Sequence, residues 1–314
     1  MNNCEINTLT EFSMIPFSTS GINTIFLFTG FLFMYFLAVV GNLIIIGLVC
    51  VAPQLHTPMY FFLCNLSIVD AIYVSTIIPK ILAIILTEDK TIPFFGCMTQ
   101  LFFFIFCAGT EIYILTSMAY DRYVAICSPL HYSSIMTRKV CSIIVTFYMM
   151  FSTANSLMLT LLIRTLSFCY SHTITHFFCE IKALMALSSS DTNNMTMILS
   201  MEDAIIVIVI FMFILTSYVR IISTILKIRS STGRLKAFSS CTSHLITVLL
   251  FFGPSIFMYL KPESEGSKEE DKILSMFYVA VVPMLNPFVY SLRNKEVLEA
   301  ARKMSTVIWN RITL

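Results

Sequence analysis

Seven long apolar stretches dominate the pattern of hydrophobic and polar positions along this 314-residue chain. Each is about 20 residues long or longer, which is the length that an α-helix needs to cross the hydrocarbon core of a bilayer. None of them alternates polar and apolar residues as the strands of a membrane barrel do. The pattern therefore predicts seven membrane-spanning helices, over residues 25–52, 58–86, 96–126, 140–163, 197–226, 237–260 and 273–292.

Composition places these stretches in lipid. Hydrophobic residues make up 57% of the chain and charged residues only 12%, and the mean hydropathy is +0.84. An average soluble domain is about 45–50% apolar and about 25% charged. This composition excludes a soluble enzyme and a disordered chain, and the net charge of +2 argues against nucleic acid as a partner. We expect an all-α, seven-transmembrane helix bundle in a lipid bilayer.

Basic residues gather on one side of the predicted bundle. With the N-terminus and the even-numbered loops outside, 13 of the 20 Lys and Arg residues fall on the cytoplasmic side, with only three acidic residues. The positive-inside rule then predicts an outer N-terminus and a cytoplasmic C-terminus. The expected organisation is an extracellular N-terminus at 1–24, a seven-transmembrane domain at 25–292, and a cytoplasmic amphipathic helix and tail at 293–314.

The tail after the seventh helix has two interpretations. Val297, Leu298 and Ala301 can share one face of a helix, with charged residues on the other faces. That pattern is typical of a helix lying on the inner membrane surface. The alternative is a frayed basic tail.

Polar residues occur inside four of the apolar stretches. Asp70, Glu111 and Asn286 lie on three predicted helices and Asn42 lies on a fourth, and we call these four residues the polar core. An isolated carboxylate at that depth is costly. We therefore expect the four side chains to cluster and to share protons, water or a cation.

Channels, transporters and membrane enzymes fit the sequence poorly. Neither a polar stripe through the membrane nor a duplicated half of the kind found in transporters is evident. No Cys-x-x-Cys spacing occurs in the sequence. The five histidines are scattered on loops or helix ends, at His56, His131, His172, His176 and His244. We expect no catalytic residues, no metal site and no cofactor.

Several motifs follow one another in a fixed order. They are Leu55-His-Thr-Pro-Met-Tyr60, Met118-Ala-Tyr-Asp-Arg-Tyr-Val-Ala-Ile-Cys127 with Pro129-Leu-His-Tyr132, Ser217-Tyr218, Lys236-Ala-Phe-Ser-Ser-Cys-Thr-Ser-His-Leu245 and Pro283-Met-Leu-Asn-Pro-Phe-Val-Tyr-Ser-Leu-Arg-Asn294. Together, over about residues 24–303, they resemble the olfactory receptors, a branch of the rhodopsin-like G-protein-coupled receptors. The stretch at 236–245 is similar to the tetrapod type.

The resemblance implies an odorant receptor, a multi-pass protein of the cell membrane. Its partners would be a small volatile odorant and the heterotrimeric olfactory stimulatory G protein, which raises cyclic AMP. A non-nasal chemoreceptor of the same family is the alternative. In related receptors the position of Asp70 holds a sodium ion, so the polar core is either a sodium site or a water-bridged network.

The resemblance also implies two sets of functional residues. The ligand would lie in an outer pocket formed by Phe104, Ile105, Ala108, Gly109, Glu202, Asp203, Ile206, Phe252, Ser255 and Tyr259. Coupling to the G protein and switching would involve Asp121, Arg122, Tyr123, Tyr218, Asn286, Pro287 and Tyr290. Arg122 keeps its proton and needs Asp121 or water beside it. Pro283 and Pro287 remove backbone donors and predict a bend that has two arrangements.

Glu202 and Asp203 have three interpretations. Adjacent residues lie about 100° apart on a helix, so one carboxylate would face the pocket. It could anchor an amine or another hydrogen-bond donor on the odorant. It could instead pair with Lys182 or Arg164 in the outer loop and hold that loop as a lid. In the third interpretation the helix begins later and both carboxylates lie at the wet interface.

The cysteines include one pair that the resemblance assigns. Cys97 at the outer tip of the third helix would form a disulfide with Cys179 in the long outer loop, in an oxidising environment. Cys169 lacks the partner that the family usually has about twenty residues further on. It is then free, or it pairs with Cys4.

Overall fold

The computed structural model describes residues 10–15, 24–169, 172–260, 267–293 and 295–312. In chain order its helices are α1 (Thr24–Val51), α2 (Pro58–Thr87), α3 (Phe94–Cys127), α4 (Tyr132–Ile135), α5 (Arg138–Arg164), α6 (Ile181–Leu187), α7 (Asn193–Leu226), α8 (Ser231–Leu260), α9 (Ser267–Met276), α10 (Val282–Arg293) and α11 (Lys295–Ile312). Its strands are β1 (Glu11–Met14), β2 (Thr91–Pro93) and β3 (Thr173–Ile174).

Seven helical stretches are long and apolar enough to cross a membrane, which confirms the predicted seven-helix bundle. Six of them are the unbroken helices α1, α2, α3, α5, α7 and α8, with 27 to 34 residues each. At 1.5 Å per residue even the shortest is about 40 Å long, which exceeds the hydrocarbon thickness of about 30 Å. The chain is therefore a multi-pass membrane protein.

The seventh stretch is interrupted. A π-helical segment, Phe277–Val281, separates α9 from α10. The sequence predicts a bend at Pro283 and Pro287, and this π-helical segment lies about one turn before Pro283. A proline ring crowds the carbonyl four residues before it, which for Pro283 is Val279 in the middle of this segment. The amide of Asn42 on α1 donates a hydrogen bond of 3.0 Å to the Pro283 carbonyl oxygen.

Helices of the bundle are apolar on both their inner and their outer surfaces. Leu66, Val74 and Ile77 of α2 are fully buried among the neighbouring helices. Phe26 and Phe33 of α1 are exposed by 74% and 63%, so they face outward from the bundle. A soluble protein would hide such patches. Here they match the lipid that the sequence predicts around the bundle.

A small sheet at one end of the bundle departs from the purely helical expectation. Its strand order is β2-β1-β3, with β1 antiparallel to β2 and parallel to β3. The sheet joins the N-terminal segment to two loops, and Phe12 and Met14 of β1 are fully buried beneath it. Strands of two to four residues are too short for periodicity to predict.

The fifth and seventh spanning helices begin earlier than the sequence predicts. We expected the seventh spanning helix to begin at residue 273, but α9 begins at Ser267 and Lys272 is only 5% exposed. The fifth spanning helix begins at Asn193, before the expected residue 197 and nine residues before Glu202. The interpretation in which the helix starts after Glu202 is therefore wrong.

A disulfide bond ties the long outer loop to the bundle. Cys97 and Cys179 are joined with an S–S distance of 2.02 Å across a sequence separation of 82 residues. Cys169 is also disulfide-bonded, so the expectation of a free thiol is wrong. The alternative pairing of Cys169 with Cys4 involves a residue outside the described ranges.

Candidate functional site

The α3 wall of the predicted pocket faces two directions. The ring of Phe104 lies 4.7 Å from Phe178 of the outer loop and 5.9 Å from Tyr73 of α2, measured between centroids. Ile105 and Ala108 are half-buried. Gly109 faces α5, because a Cβ added there would lie 3.5 Å from Ser152 Oγ. Phe104 therefore faces the outer loop, whereas Gly109 faces α5.

The α7 and α8 walls are described in part. Phe252 of α8 is buried, with its ring centroid 5.7 Å from that of Phe211 on α7, and Ile206 is half-buried. The structure thus places Phe252 between α7 and α8, at the expected junction. Three expected ligand contacts fall outside the described side chains, at Asp203, Ser255 and Tyr259.

Glu202 is exposed and makes none of the lid contacts that we considered. No ion pair within 4.0 Å joins it to Lys182 or Arg164, whose side chains the structure describes. The guanidinium of Arg164 lies instead 6.0 Å from the ring centroid of Phe95. The Glu202 carboxylate interacts electrostatically with Tyr113 of α3.

The outer loop closes over this region as a lid, which we define as residues 176–180. His176 stacks on Phe177 and contacts Phe178 edge-on, at centroid distances of 4.6 Å and 4.7 Å. Gln100 of α3 accepts a hydrogen bond of 2.9 Å from the Cys179 backbone N–H. Gln100 also donates to the Thr76 carbonyl oxygen of α2 at 3.0 Å, so the lid is fixed to two helices.

His176 is a titratable group of the lid. Burial and the positive charge of Lys272 lower the pKa of the His176 imidazole from 6.5 to about 3. Its Nε2 lies 3.8 Å from a Glu180 carboxylate oxygen, which is too far for a hydrogen bond. The closed lid therefore holds a neutral histidine.

The polar core forms in the middle of the bundle. Asn286 donates a hydrogen bond of 2.8 Å to Asp70, and Glu111 lies beside Asp70 without a well-formed hydrogen bond between the two carboxyls. Asn42 donates to the carbonyl oxygens of Ala38 and Pro283. All four side chains of the polar core are at most 2% exposed.

The polar core presents oxygen atoms that the described residues leave without a hydrogen bond. They are Asp70 Oδ1, both carboxylate oxygens of Glu111, and the amide oxygens of Asn42 and Asn286. Two adjacent buried carboxyls need a shared proton or a cation between them. Oxygen-only ligands suit a hard cation such as sodium, so the donor set fits the ion that the resemblance implies.

Asp121 organises the opposite end of α3. One of its carboxylate oxygens accepts from Arg122 Nε at 3.0 Å and from Arg122 Nη2, and the other accepts from the Tyr132 hydroxyl at 2.7 Å. Asp121 is fully buried and Tyr123 is half-buried. Tyr132 of α4 was not among the expected switch residues, although the motif at 129–132 contains it.

His244 connects three helices and was also missed. It lies inside α8 and is fully buried, so its assignment to a loop or helix end was wrong. Its Nε2 is 3.0 Å from the Leu115 carbonyl oxygen of α3, and its Nδ1 is 2.6 Å from the Tyr218 hydroxyl of α7. Because a carbonyl only accepts, Nε2 donates and Nδ1 accepts from Tyr218.

The inner half of α10 packs closely against α1 and α8. Tyr290 is fully buried, and Ser243 of α8 donates a hydrogen bond of 3.1 Å to the Val289 carbonyl oxygen. A Cβ added at Gly41 of α1 would lie 3.0 Å from Pro287. A larger residue at position 41 would therefore require Pro287 or α1 to shift by a few tenths of an ångström.

Helix α11 packs against α1 and α10 at the same end of the bundle as Tyr60. Val297 and Ala300 are buried, and the Tyr60 hydroxyl of α2 donates to a Glu296 carboxylate oxygen at 2.7 Å. The described part of the tail is therefore helical over Lys295–Ile312 and packs against the bundle.

Replacing His244 with Phe should lower the melting temperature of the purified protein. The substitution leaves the Tyr218 hydroxyl buried without its partner, which costs about 1–3 kcal/mol. Tyr218→Phe in the His244→Phe background should then cost less than Tyr218→Phe alone. Thermal unfolding of the two single variants and the double variant measures this coupling, and strictly additive losses would contradict it.

Acid should destabilise the protein through His176. The pKa of His176 is about 3 in the folded chain and near 6.5 in the unfolded chain, so the unfolded chain binds the proton more tightly. Stability is therefore full above about pH 6.5 and falls as the pH drops from 6.5 towards 3, by up to about 2 kcal/mol at pH 5.

Melting temperatures measured at pH 7.5 and pH 5 test this dependence. The wild-type loss should shrink in His176→Phe, which keeps the ring contacts without a titrating group. It should persist in His172→Gln, which alters an exposed histidine of the same loop. An equal loss in His176→Phe would show that another group senses the acid.

Comparisons with known proteins bear on this arrangement. The sequence model of the olfactory receptor family matches residues 31–307. The chain is 45% identical to olfactory receptor 1G1 of Gorilla gorilla gorilla over 311 residues, which are 99% of this chain and 98% of the relative. It is 46% identical over 298 residues to olfactory receptor 5AR1 of Mus musculus, covering 95% and 96% of the two chains. The protein belongs to the olfactory receptor family, whose members are receptors and not enzymes.

Proposed function

We propose that this chain is an odorant receptor of the cell membrane that activates the olfactory stimulatory G protein and raises cyclic AMP. Its N-terminus and lid face outside, and its C-terminus lies in the cytoplasm. A small volatile molecule enters between the lid and helices α3, α7 and α8. The observation that carries the proposal is the Asp121–Arg122–Tyr132 arrangement at the end of α3 opposite the lid.

The two ends of the bundle communicate through α3. Gln100, the polar-core residue Glu111, the Leu115 carbonyl that His244 contacts, and Asp121 follow one another along this helix. An odorant shifts the receptor only by binding the active packing more tightly than the resting one. When the inner ends of α3 and α8 part, Arg122, Tyr123 and the basic loop 227–236 become available to the G protein.

Glu202 anchors an amine or another hydrogen-bond donor of the odorant in this proposal. The exposed carboxylate has no ion pair with Lys182 or Arg164, and its helix begins nine residues earlier. It therefore lacks the partner that a lid role requires. A non-nasal chemoreceptor of the same family would use the same site, and the tissue of expression decides between the two.

Cyclic AMP in cells that co-express the olfactory G protein tests the receptor role. A panel of volatile amines, alcohols, aldehydes and ketones should include an agonist whose response is lost in Arg122→Ala and retained in Arg138→Ala, an exposed cytoplasmic arginine. In Glu202→Gln, an amine response should fall while a neutral-odorant response stays. An N-terminal epitope should stain intact cells, which reports surface expression and orientation together.

Two results would overturn these assignments. A full agonist response in Arg122→Ala would remove Arg122 from coupling. Unchanged amine potency in both Glu202→Gln and Asp203→Asn would remove the carboxylate anchor while leaving the receptor role intact.

The polar core binds sodium in the resting receptor in this proposal. The support is that several of its buried oxygen atoms have no hydrogen-bond partner among the described residues. Bound sodium supplies one positive charge between the two carboxyls. Replacing extracellular sodium with a large organic cation should therefore change agonist potency in the wild type and leave it unchanged in Asp70→Asn. Equal potency in both salts for the wild type would favour a neutral, water-bridged network.

A further inference from the structure

A groove between α2 and α3 lies outside the receptor machinery described above. It encloses about 360 Å³ near the end of the bundle that carries the sheet. Three residues of its lining are exposed, namely Gly96, Thr99 and Phe103. The groove therefore opens sideways, on the perimeter of the helix bundle. The lining residues are Thr76, Lys80, Ile92, Gly96, Thr99, Gln100 and Phe103.

Lys80 is the charged residue of this lining. It lies inside the membrane-spanning helix α2 and is half-buried. Among the described side chains, none forms an ion pair with Lys80 within 4.0 Å. The positive charge of Lys80 lowers the pKa of the Asp89 carboxyl, but the hydrogen bonds from Thr91 lower that pKa more. Asp89 is fully exposed. A lysine near the end of a spanning helix extends its ammonium toward the level of the lipid headgroups.

The remaining polar atoms of the groove are already engaged. The hydroxyls of Thr76 and Thr99 donate to carbonyl oxygens of their own helices. The Gln100 amide is bound to Thr76 and Cys179. The Lys80 ammonium is therefore the side-chain hydrogen-bond donor of this lining that remains available to a ligand. Because it is positively charged, it favours an anionic ligand.

The depth of Lys80 selects the source of that anion. Helix α2 has 30 residues and is about 45 Å long. A helix of this length that is centred in a hydrocarbon core of about 30 Å extends about 7 Å beyond it on each side. Lys80 is seven residues from the end of the helix at Thr87, or about 10 Å. Its backbone thus lies about 3 Å inside the hydrocarbon edge, next to the level of the lipid phosphates.

We infer that this groove binds the headgroup of an anionic phospholipid, from the leaflet nearest the sheet, with Lys80 as the counter-ion. The acyl chains would descend along the exposed face of α3 that carries Phe103. Because Gln100 lines the groove and also holds the lid backbone, a lipid bound here stabilises the α2–α3–lid connection.

Native mass spectrometry of the full chain with phosphatidylglycerol or phosphatidylcholine tests the inference. The wild type should retain one phosphatidylglycerol more tightly than phosphatidylcholine, and this lipid should raise its melting temperature. Lys80→Gln should weaken that binding by up to about fivefold, the loss expected when one charged pair near a surface is removed. Lys80→Arg should keep the binding, as should Lys90→Gln, which removes an exposed lysine outside the groove.

A second variant keeps the test independent of any folding defect in Lys80→Gln. A Cβ at Gly96 meets Ile92 at an ordinary 3.5 Å, so Gly96→Leu should fold while filling the groove with Lys80 unchanged. It should lose the tight phosphatidylglycerol. Wild-type affinity in Lys80→Gln or in Gly96→Leu would overturn the site. Equal stabilisation by inorganic phosphate alone would show that the groove binds a free ion and would overturn the lipid assignment.

Discussion

The interior of a bilayer offers no water to a polar group, and this condition shapes both the helices and the few polar contacts between them. Backbone groups are satisfied within the helices, so length and hydropathy suffice to define the bundle. Side chains such as Asp70 and Glu111 have no such local solution. They must find partners on other helices, and the structure places Asn286 against Asp70 in the centre of the bundle.

Helix α3 carries most of these contacts. Gln100 holds the lid near its first turns, and the Leu115 carbonyl receives His244 of α8 near its middle. Asp121 holds Arg122 and Tyr132 at its last turns. Each contact joins α3 to a different neighbour, so a shift of α3 or α8 changes several hydrogen bonds at once.

Prediction from the sequence succeeded where the determining interactions are local. The seven spans depend on runs of apolar residues, and their bounds agree with the structure to within two residues except at the starts of the fifth, sixth and seventh spans, which lie four to six residues earlier than expected. The polar core was predicted because burying four polar groups separately is costly. His244, His176 and Lys272 were misplaced or overlooked. Their burial depends on contacts with Leu115, Phe178 and the lid, which are distant along the chain.

The sequence by itself determined the membrane environment, the number of helices and the family motifs, because these follow from composition and from residues close together in the chain. Tertiary structure alone decided that β1 joins a three-stranded sheet, that Gly109 faces α5, and that Lys80 lines a groove between α2 and α3. The physical reason is that the rotation of each helix about its own axis is set by packing against its neighbours. An apolar stretch surrounded by both protein and lipid carries little amphipathic signal from which that rotation could be predicted.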